Sequence, residues 1–223
     1  MLKYPCLVLD HDDTVVQSEA TVNYPCFCEY LKQTRPGVQI SFAEYINACS
    51  RQPFVDFCRE RFGFTDEELQ REYLFWKAYA RQHPPLPFPG IREILRRQKE
   101  EGGLVCVASM SGTENILRDY NAHFGMVPDA IFSWDLPEHQ RKPSPYALHQ
   151  IMQTYNLTRD ELLMIDDMRP GVDMARAAGV KVAFAAWGRL DHPEIMAPME
   201  QICEYTFRNT QELEKFLFRE ESL

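Results

Sequence analysis

The chain has 223 residues, a formal charge of -9 and 45% hydrophobic residues, enough for one substantial core and a smaller appended domain. The acidic balance argues against a nucleic-acid partner, which would require a basic face, and no apolar run approaches the roughly 20 residues of a membrane span. Seven cysteines with no Cys-x-x-Cys pair point to reduced thiols and a cytoplasmic location. Asp10 interrupts the first apolar run too early for a secretory leader. Composition carries no signal of oligomeric state.

The apolar run 6–9 ends in Asp10-His11-Asp12-Asp13-Thr14. A short apolar segment closed by charge reads as a buried strand with a polar tip, and open α/β sheets bind ligands just beyond such tips. Alternation puts Asp10 and Asp12 on one side and His11 on the other. His11 is therefore expected to be structural. The two carboxylates facing one spot suit a hard divalent cation together with a nucleophile or acid.

Helical spacing follows over 24–31. Thr34-Arg35-Pro36-Gly37 makes a turn, and Ser41 with Glu44 forms a capping box that opens the next helix. Further helices are predicted over 53–62, ended by Gly63, and over 66–82, opened by a second box of Thr65 and Glu68. Prolines 84, 85, 87 and 89 exclude regular structure. They mark the return from an inserted helical domain, 19–86, to a core domain made of 1–18 and 87–223. Phe54, Phe57, Phe62, Phe64, Tyr73, Phe75, Trp76 and Tyr79 are expected to build most of the insert's own small core.

A helix over 91–101 stops at Gly102-Gly103. A second buried strand, 104–108, ends in Ser109-Met110-Ser111-Gly112. A helix over 114–124 and a short strand over 130–133 come next. Lys142-Pro143-Ser144-Pro145 opens another helix, with Ser144 as N-cap and Pro145 as first helical residue. A strand over 162–165 ends at Asp166-Asp167, followed by a helix over 172–178, a strand over 180–186 and a tail, 201–223, of strand, turn and helix. Apolar strands alternating with helices predict an α/β fold, a parallel sheet covered on both faces.

Four polar tips thus stand in order: Asp10 with Asp12, then Ser109, Lys142, and Asp166 with Asp167. Together they suit transfer of a phosphoryl group. Asp10 can act as a carboxylate nucleophile. Its repulsion from a phosphate dianion would be offset by Mg²⁺ held by Asp10, Asp12, Asp167 and the adjoining Asp166. Asp12 can protonate the leaving oxygen and later activate water. Ser109 and the backbone N–H groups beside it, that of Met110 included, can hold phosphoryl oxygens, and Lys142 supplies fixed positive charge.

These motifs resemble those of the haloacid dehalogenase superfamily, in the helical-capped branch that includes phosphoglycolate phosphatases and β-phosphoglucomutases. The resemblance rests on Asp10 to Thr14, Val105 to Ser109, Lys142 to Pro145, and Ile165-Asp166-Asp167 with 175–179. It also rests on Pro87-Phe88-Pro89-Gly90 at the re-entry to the core. It implies a Rossmann-like core, a helical cap, Mg²⁺ and an aspartyl-phosphate on Asp10. Three positions depart from the family pattern: Asp13 replaces the usual glycine, Met110 a frequent asparagine, and Asp166 a frequent glycine. Asp12 argues against the dehalogenase branch, which lacks that acid. In the cap, Ser50-Arg51-Gln52-Pro53 offers Arg51 as a clasp for an anionic or hydroxyl-rich substrate group. The expected activity is hydrolysis of a small phosphorylated metabolite. A β-phosphoglucomutase-like isomerase is the alternative, disfavoured because Ser18 to Val22 lacks the mutase histidine, and a non-catalytic binding protein on the same scaffold is a further one.

Overall fold

The computed structural model describes residues 2–218. The chain divides into two compact units, Ser18–Pro85, and Met1–Gln17 with Leu86–Leu223.

The first of these is helical. A π-helical turn, Glu19–Asn23, runs into α1 (Tyr24–Thr34), followed by α2 (Phe42–Arg51), α3 (Phe54–Phe62) and α4 (Asp66–Gln82). Ser41 Oγ accepts from the Glu44 N–H at 3.2 Å, but the Glu44 carboxylate is turned to Arg61, so that expected box is half made. The Thr65–Glu68 box closes in both directions, at 3.2 and 2.9 Å. Aromatic rings fill the unit around Phe27, which the sequence reading had not singled out. Its ring lies 5.2 Å from Phe54, 5.5 Å from Phe62 and 6.5 Å from Phe64, spacings at which ring pairs attract. Glu72 on α4 is buried among these helices, and burial pushes its carboxyl up to about 7.

The second unit holds a six-stranded sheet. Its strands are β1 (Cys6–Leu9), β2 (Leu104–Ala108), β3 (Ala130–Phe132), β4 (Leu162–Asp166), β5 (Lys181–Ala185) and β6 (Tyr205–Phe207). They are ordered β3-β2-β1-β4-β5-β6, and every pairing is parallel. All residues of β1 and β4 are buried. Strands covered on both faces have no polar side to show, which is why they read as unbroken apolar runs. One face carries Leu7, Leu9, Val105, Val107, Leu163 and Ile165. It packs on α5 (Ile91–Glu100), α6 (Thr113–Phe124) and the C-terminal helix through Ile94, Leu95, Ile116, Tyr120 and Leu213. Each such side chain contributes about 1.5–3 kcal/mol on leaving water. The other face is served by α7 (Tyr146–Tyr155) and α8 (Arg169–Ala178), the latter packed on β4 and β5.

Several boundaries differ from expectation for local reasons. Strand β4 continues through Asp166, which pairs with Phe184, because the ladder outlasts the apolar run by one residue. Pro145, not Ser144, is the N-cap of α7, and the Ser144 N–H is spent on the Arg141 carbonyl at 2.8 Å. Helix α8 begins at Arg169, since Pro170 is accommodated in a first turn. Helix α9 (Pro193–Ile202) was not anticipated, and Pro198 inside it disguises its pattern. The tail supplies β6 and α10 (Thr210–Phe218); the rest of the predicted terminal helix lies outside the described residues. No helix among the described residues is long and apolar enough to cross a membrane.

Candidate active site

Strand order reverses between β1 and β4, and open α/β sheets bind ligands outside the carboxyl ends of the strands at such a reversal. Asp10 follows β1, with its N–H donating to the Ile165 carbonyl at 2.9 Å, and Asp166 is the last residue of β4. The neighbouring strand ends therefore deliver Asp10, Asp166 and Asp167 to one place. One carboxylate oxygen from each lies within 4.8 Å of the others, and all three residues are buried.

Lys142, ahead of α7, reaches the same place. Its Nζ donates to Asp10 Oδ1 at 2.6 Å and to Asp166 Oδ2 at 2.5 Å. Burial alone would depress this ammonium, but Asp10 and Asp166 outweigh burial and hold it above the ordinary lysine range. Burial, with Asp10 nearby, pushes the Asp166 carboxyl up to about 6 against the pull of Lys142. Burial likewise holds Asp167 well above the usual carboxylate range.

Asp166 has its remaining oxygen bound by the Met168 N–H at 2.8 Å. Its side chain fills the space over Gly171, where a Cβ would lie 1.9 Å from Asp166 Oδ2. An acid at 166 thus depends on the absence of a side chain at 171.

The other expected residues are placed as follows. Asp12 is half-buried in the loop after β1, bridged to Val16, and outside the close carboxylate group. Ser109 directly follows β2, with its N–H on the Phe132 carbonyl at 2.9 Å. Its Oγ accepts from the Ser111 N–H at 3.2 Å, which leaves the hydroxyl proton to donate. Met110 is 43% exposed. Arg51 belongs to the helical unit, where it is the exposed last residue of α2.

His11 points away from the acids, as alternation requires. It is buried, 3.1 Å from Asp119 Oδ2 and stacked on Tyr120. Burial would raise the Asp119 carboxyl, but hydrogen bonds from His11 and Arg118 hold it below the usual range. The sequence reading missed Asp119 and also Arg189, which is buried against Asp13 and Asp167. The only sequence signal for Arg189 is the acid at 13 itself, a buried charge in need of a partner.

The donor set suits Mg²⁺. It consists of buried carboxylate oxygens, the hard ligands this ion prefers. Asp10, Asp13, Asp166 and Asp167 face two fixed cations, Lys142 and Arg189. With all six groups ionised, two negative charges remain for a divalent ion to neutralise. Carboxylates this crowded and dry must otherwise take up protons.

Parallel sheet, helical insertion after β1 and lysine-bridged acids at the β1/β4 reversal together define a Rossmann-like domain with an inserted helical unit. Residues 7–185 match the family model of haloacid dehalogenase-like hydrolases, and the chain belongs to that family. Its curated relatives include a phosphoglycolate phosphatase of Pseudomonas putida, 31% identical over 123 residues, 52% of this chain and 43% of the relative. A phosphoglycolate phosphatase of Pseudomonas syringae pv. tomato is 27% identical over 132 residues, covering 56% and 47%. The match thus spans under half the length of these relatives. Among solved structures, CbbY of Rhodobacter sphaeroides in complex with phosphate has a TM-score of 0.73 at 17% identity, covering 96% of both chains. A hydrolase of Pseudomonas syringae has a TM-score of 0.74 at 19% identity, covering 95% and 96%. At these identities the structures establish the shared fold.

Proposed function

We propose that the chain is a cytoplasmic, Mg²⁺-dependent phosphatase acting on a small phosphorylated metabolite through an aspartyl-phosphate on Asp10. The observation that carries this reading is Lys142, buried and bonded to both Asp10 and Asp166 beside Asp167. An ammonium so placed offsets the charge that accumulates when a carboxylate approaches a phosphate dianion. Family membership and the phosphoglycolate phosphatase relatives support the same chemistry. The seven cysteines, none of them in a disulfide, support the compartment.

In this mechanism an Asp10 oxygen attacks phosphorus and the bond to the leaving oxygen breaks. Asp12 gives that oxygen its proton. Asp12 then takes a proton from water, which attacks the phosphorus of the aspartyl-phosphate and frees inorganic phosphate with Asp10 restored. Lys142 stays bonded to Asp10 and orients it. Ser109 and the Met110 N–H hold phosphoryl oxygens. Asp10, Asp12 and Asp167, with Asp166 alongside, would hold Mg²⁺, which supplies charge neutralisation at the phosphoryl group. Arg51 is the candidate contact for the remainder of the substrate.

The test is phosphate release from a panel of phosphorylated metabolites, phosphoglycolate first, with Mg²⁺ or with EDTA, for wild type and Asp10→Asn. Release from one or a few compounds, abolished by EDTA and lowered at least about 10³-fold in the variant, is expected. Full turnover in Asp10→Asn would overturn the nucleophile. Isomerisation of a sugar phosphate without phosphate release would replace the phosphatase reading with the mutase one.

A further inference from the structure

The loop after β5 carries a buried cation that the mechanism above does not use. Arg189 is 2% exposed. Its Nη1 lies 2.6 Å from Asp13 Oδ2 and its Nη2 2.5 Å from Asp167 Oδ2. The guanidinium thus joins an acid of the loop after β1 to one of the three clustered carboxylates. Thr14 Oγ1 donates to the other Asp167 oxygen at 3.4 Å. A carboxylate engaged at both oxygens cannot turn about its last bond without breaking a contact.

Three features show that this arrangement is built into the fold. Asp13 sits at φ 54°, a left-handed conformation that costs a residue with a Cβ about 1 kcal/mol and a glycine nothing. At Gly188 a Cβ would lie 2.6 Å from the Asp13 carbonyl oxygen, so glycine is what lets the two loops approach. Trp187 Nε1 donates to the Thr14 carbonyl at 3.1 Å and pins the approach. The Asp13–Arg189 pair brings no net charge to the site, so its contribution is geometric: a planar guanidinium hydrogen-bonded to Asp13 and ion-paired with Asp167 in a fixed place.

We propose that Arg189, anchored by Asp13, is a positioning residue that holds the Asp167 carboxylate in the orientation required to bind a divalent cation. The proposal rests on the Mg²⁺ reading given above. It has a sign that a purely electrostatic role lacks. Removing a positive charge beside a cation site would by itself tighten Mg²⁺ binding, whereas loss of orientation weakens it. It also makes Asp13 act only through Arg189.

The experiment is calorimetric titration of the full chain with Mg²⁺, backed by Mn²⁺ binding followed by electron paramagnetic resonance, with thermal unfolding by circular dichroism as the folding control. Arg189→Gln should weaken Mg²⁺ binding about 10–100-fold, the range found for outer partners of metal ligands. Arg189→Lys keeps the charge but not the fork, and should lose about 10-fold. Asp13→Gly, which relaxes the backbone and frees one arm of the guanidinium, should weaken binding less than Arg189→Gln. Added to Arg189→Gln, it should cost nothing further. Equal or tighter binding in Arg189→Gln and Arg189→Lys overturns the proposal, as does additivity of the Asp13→Gly and Arg189→Gln losses. Should Arg189→Gln fail to fold, Arg189→Lys and Asp13→Gly decide in the same way. Wild type that binds neither ion overturns the Mg²⁺ reading itself, an outcome distinct from wild-type binding that the variants leave unchanged.

Discussion

Gly171→Ala separates two arguments of opposite sign. Gly171 lies in the first turns of α8, and its φ is not among the positive ones, so alanine fits the backbone. Helix propensity alone then predicts a gain of about 1 kcal/mol. The tertiary structure predicts a loss. The new Cβ would stand 1.9 Å from Asp166 Oδ2, 2.2 Å from its Cγ and 2.8 Å from its Cβ. These are atoms of a short, buried side chain, not the yielding end of a long one. Relief requires the carboxylate to swing out of its seat, breaking its bonds to Lys142 Nζ and the Met168 N–H. The two charge-assisted bonds are worth about 1.5–3 kcal/mol each, and a side chain that stays put exchanges that loss for an overpacking cost of ~1–3 kcal/mol. With the carboxylate displaced and the propensity gain subtracted, the net expectation is roughly 2–5 kcal/mol of lost stability, read by urea denaturation near neutral pH. The double variant Asp166→Gly with Gly171→Ala removes the collision and should recover most of the loss contributed at 171. A single Gly171→Ala protein as stable as wild type would show that Asp166 is not seated over Gly171, and the reasoning would fail.

Glu72→Gln tests the buried acid of the helical unit. A carboxyl raised by burial from 4.5 to about 7 leaves the fold unpenalised below its unfolded pKa and progressively destabilised as pH rises through the folded one. The full penalty is about 3 kcal/mol. The variant should match wild type in urea denaturation at pH 4 and exceed it by up to that amount at pH 8; a gap that does not change with pH rules this out. Thr65→Ala breaks a capping box closed on both sides and should cost about 1 kcal/mol, seen as a lower thermal midpoint. Asp119→Ala leaves buried His11 and the Arg118 guanidinium without their shared carboxylate and should destabilise by about 3 kcal/mol or more; denaturation indistinguishable from wild type would show that the pair is not held as described.

Much of this was legible because the relevant signal is local. Strands β1, β2 and β4 announce themselves as short apolar runs, since both faces of the sheet are covered. A polar residue right after such a run has to emerge at the sheet's carboxyl edge, so Asp10, Ser109 and Asp166-Asp167 could be placed at strand tips from sequence alone. His11 could be aimed away from them by alternation. Helix α9 could not be read in this way, because an internal proline is normally a stop signal. Phe27 was no easier: nothing local distinguishes the ring at the centre of a cluster from those around it.

The harder failures concern pairs. Arg189 reaches Asp13 across 176 positions, and His11 reaches Asp119 across 108. No periodicity spans such distances, and a buried arginine looks like a surface one until its partner is known. Positions 166 and 171 make the same point within five residues. On the sequence, an acid where relatives often carry glycine reads as a spare ligand, and a glycine inside a helix reads as a mild weakness. In the fold the two are one feature, because the carboxylate at 166 occupies the volume that a side chain at 171 would need. Residues coupled by excluded volume leave no trace in either position taken alone. Acid clusters of this kind are therefore read more safely from their supporting glycines and buried counter-cations than from the acids themselves.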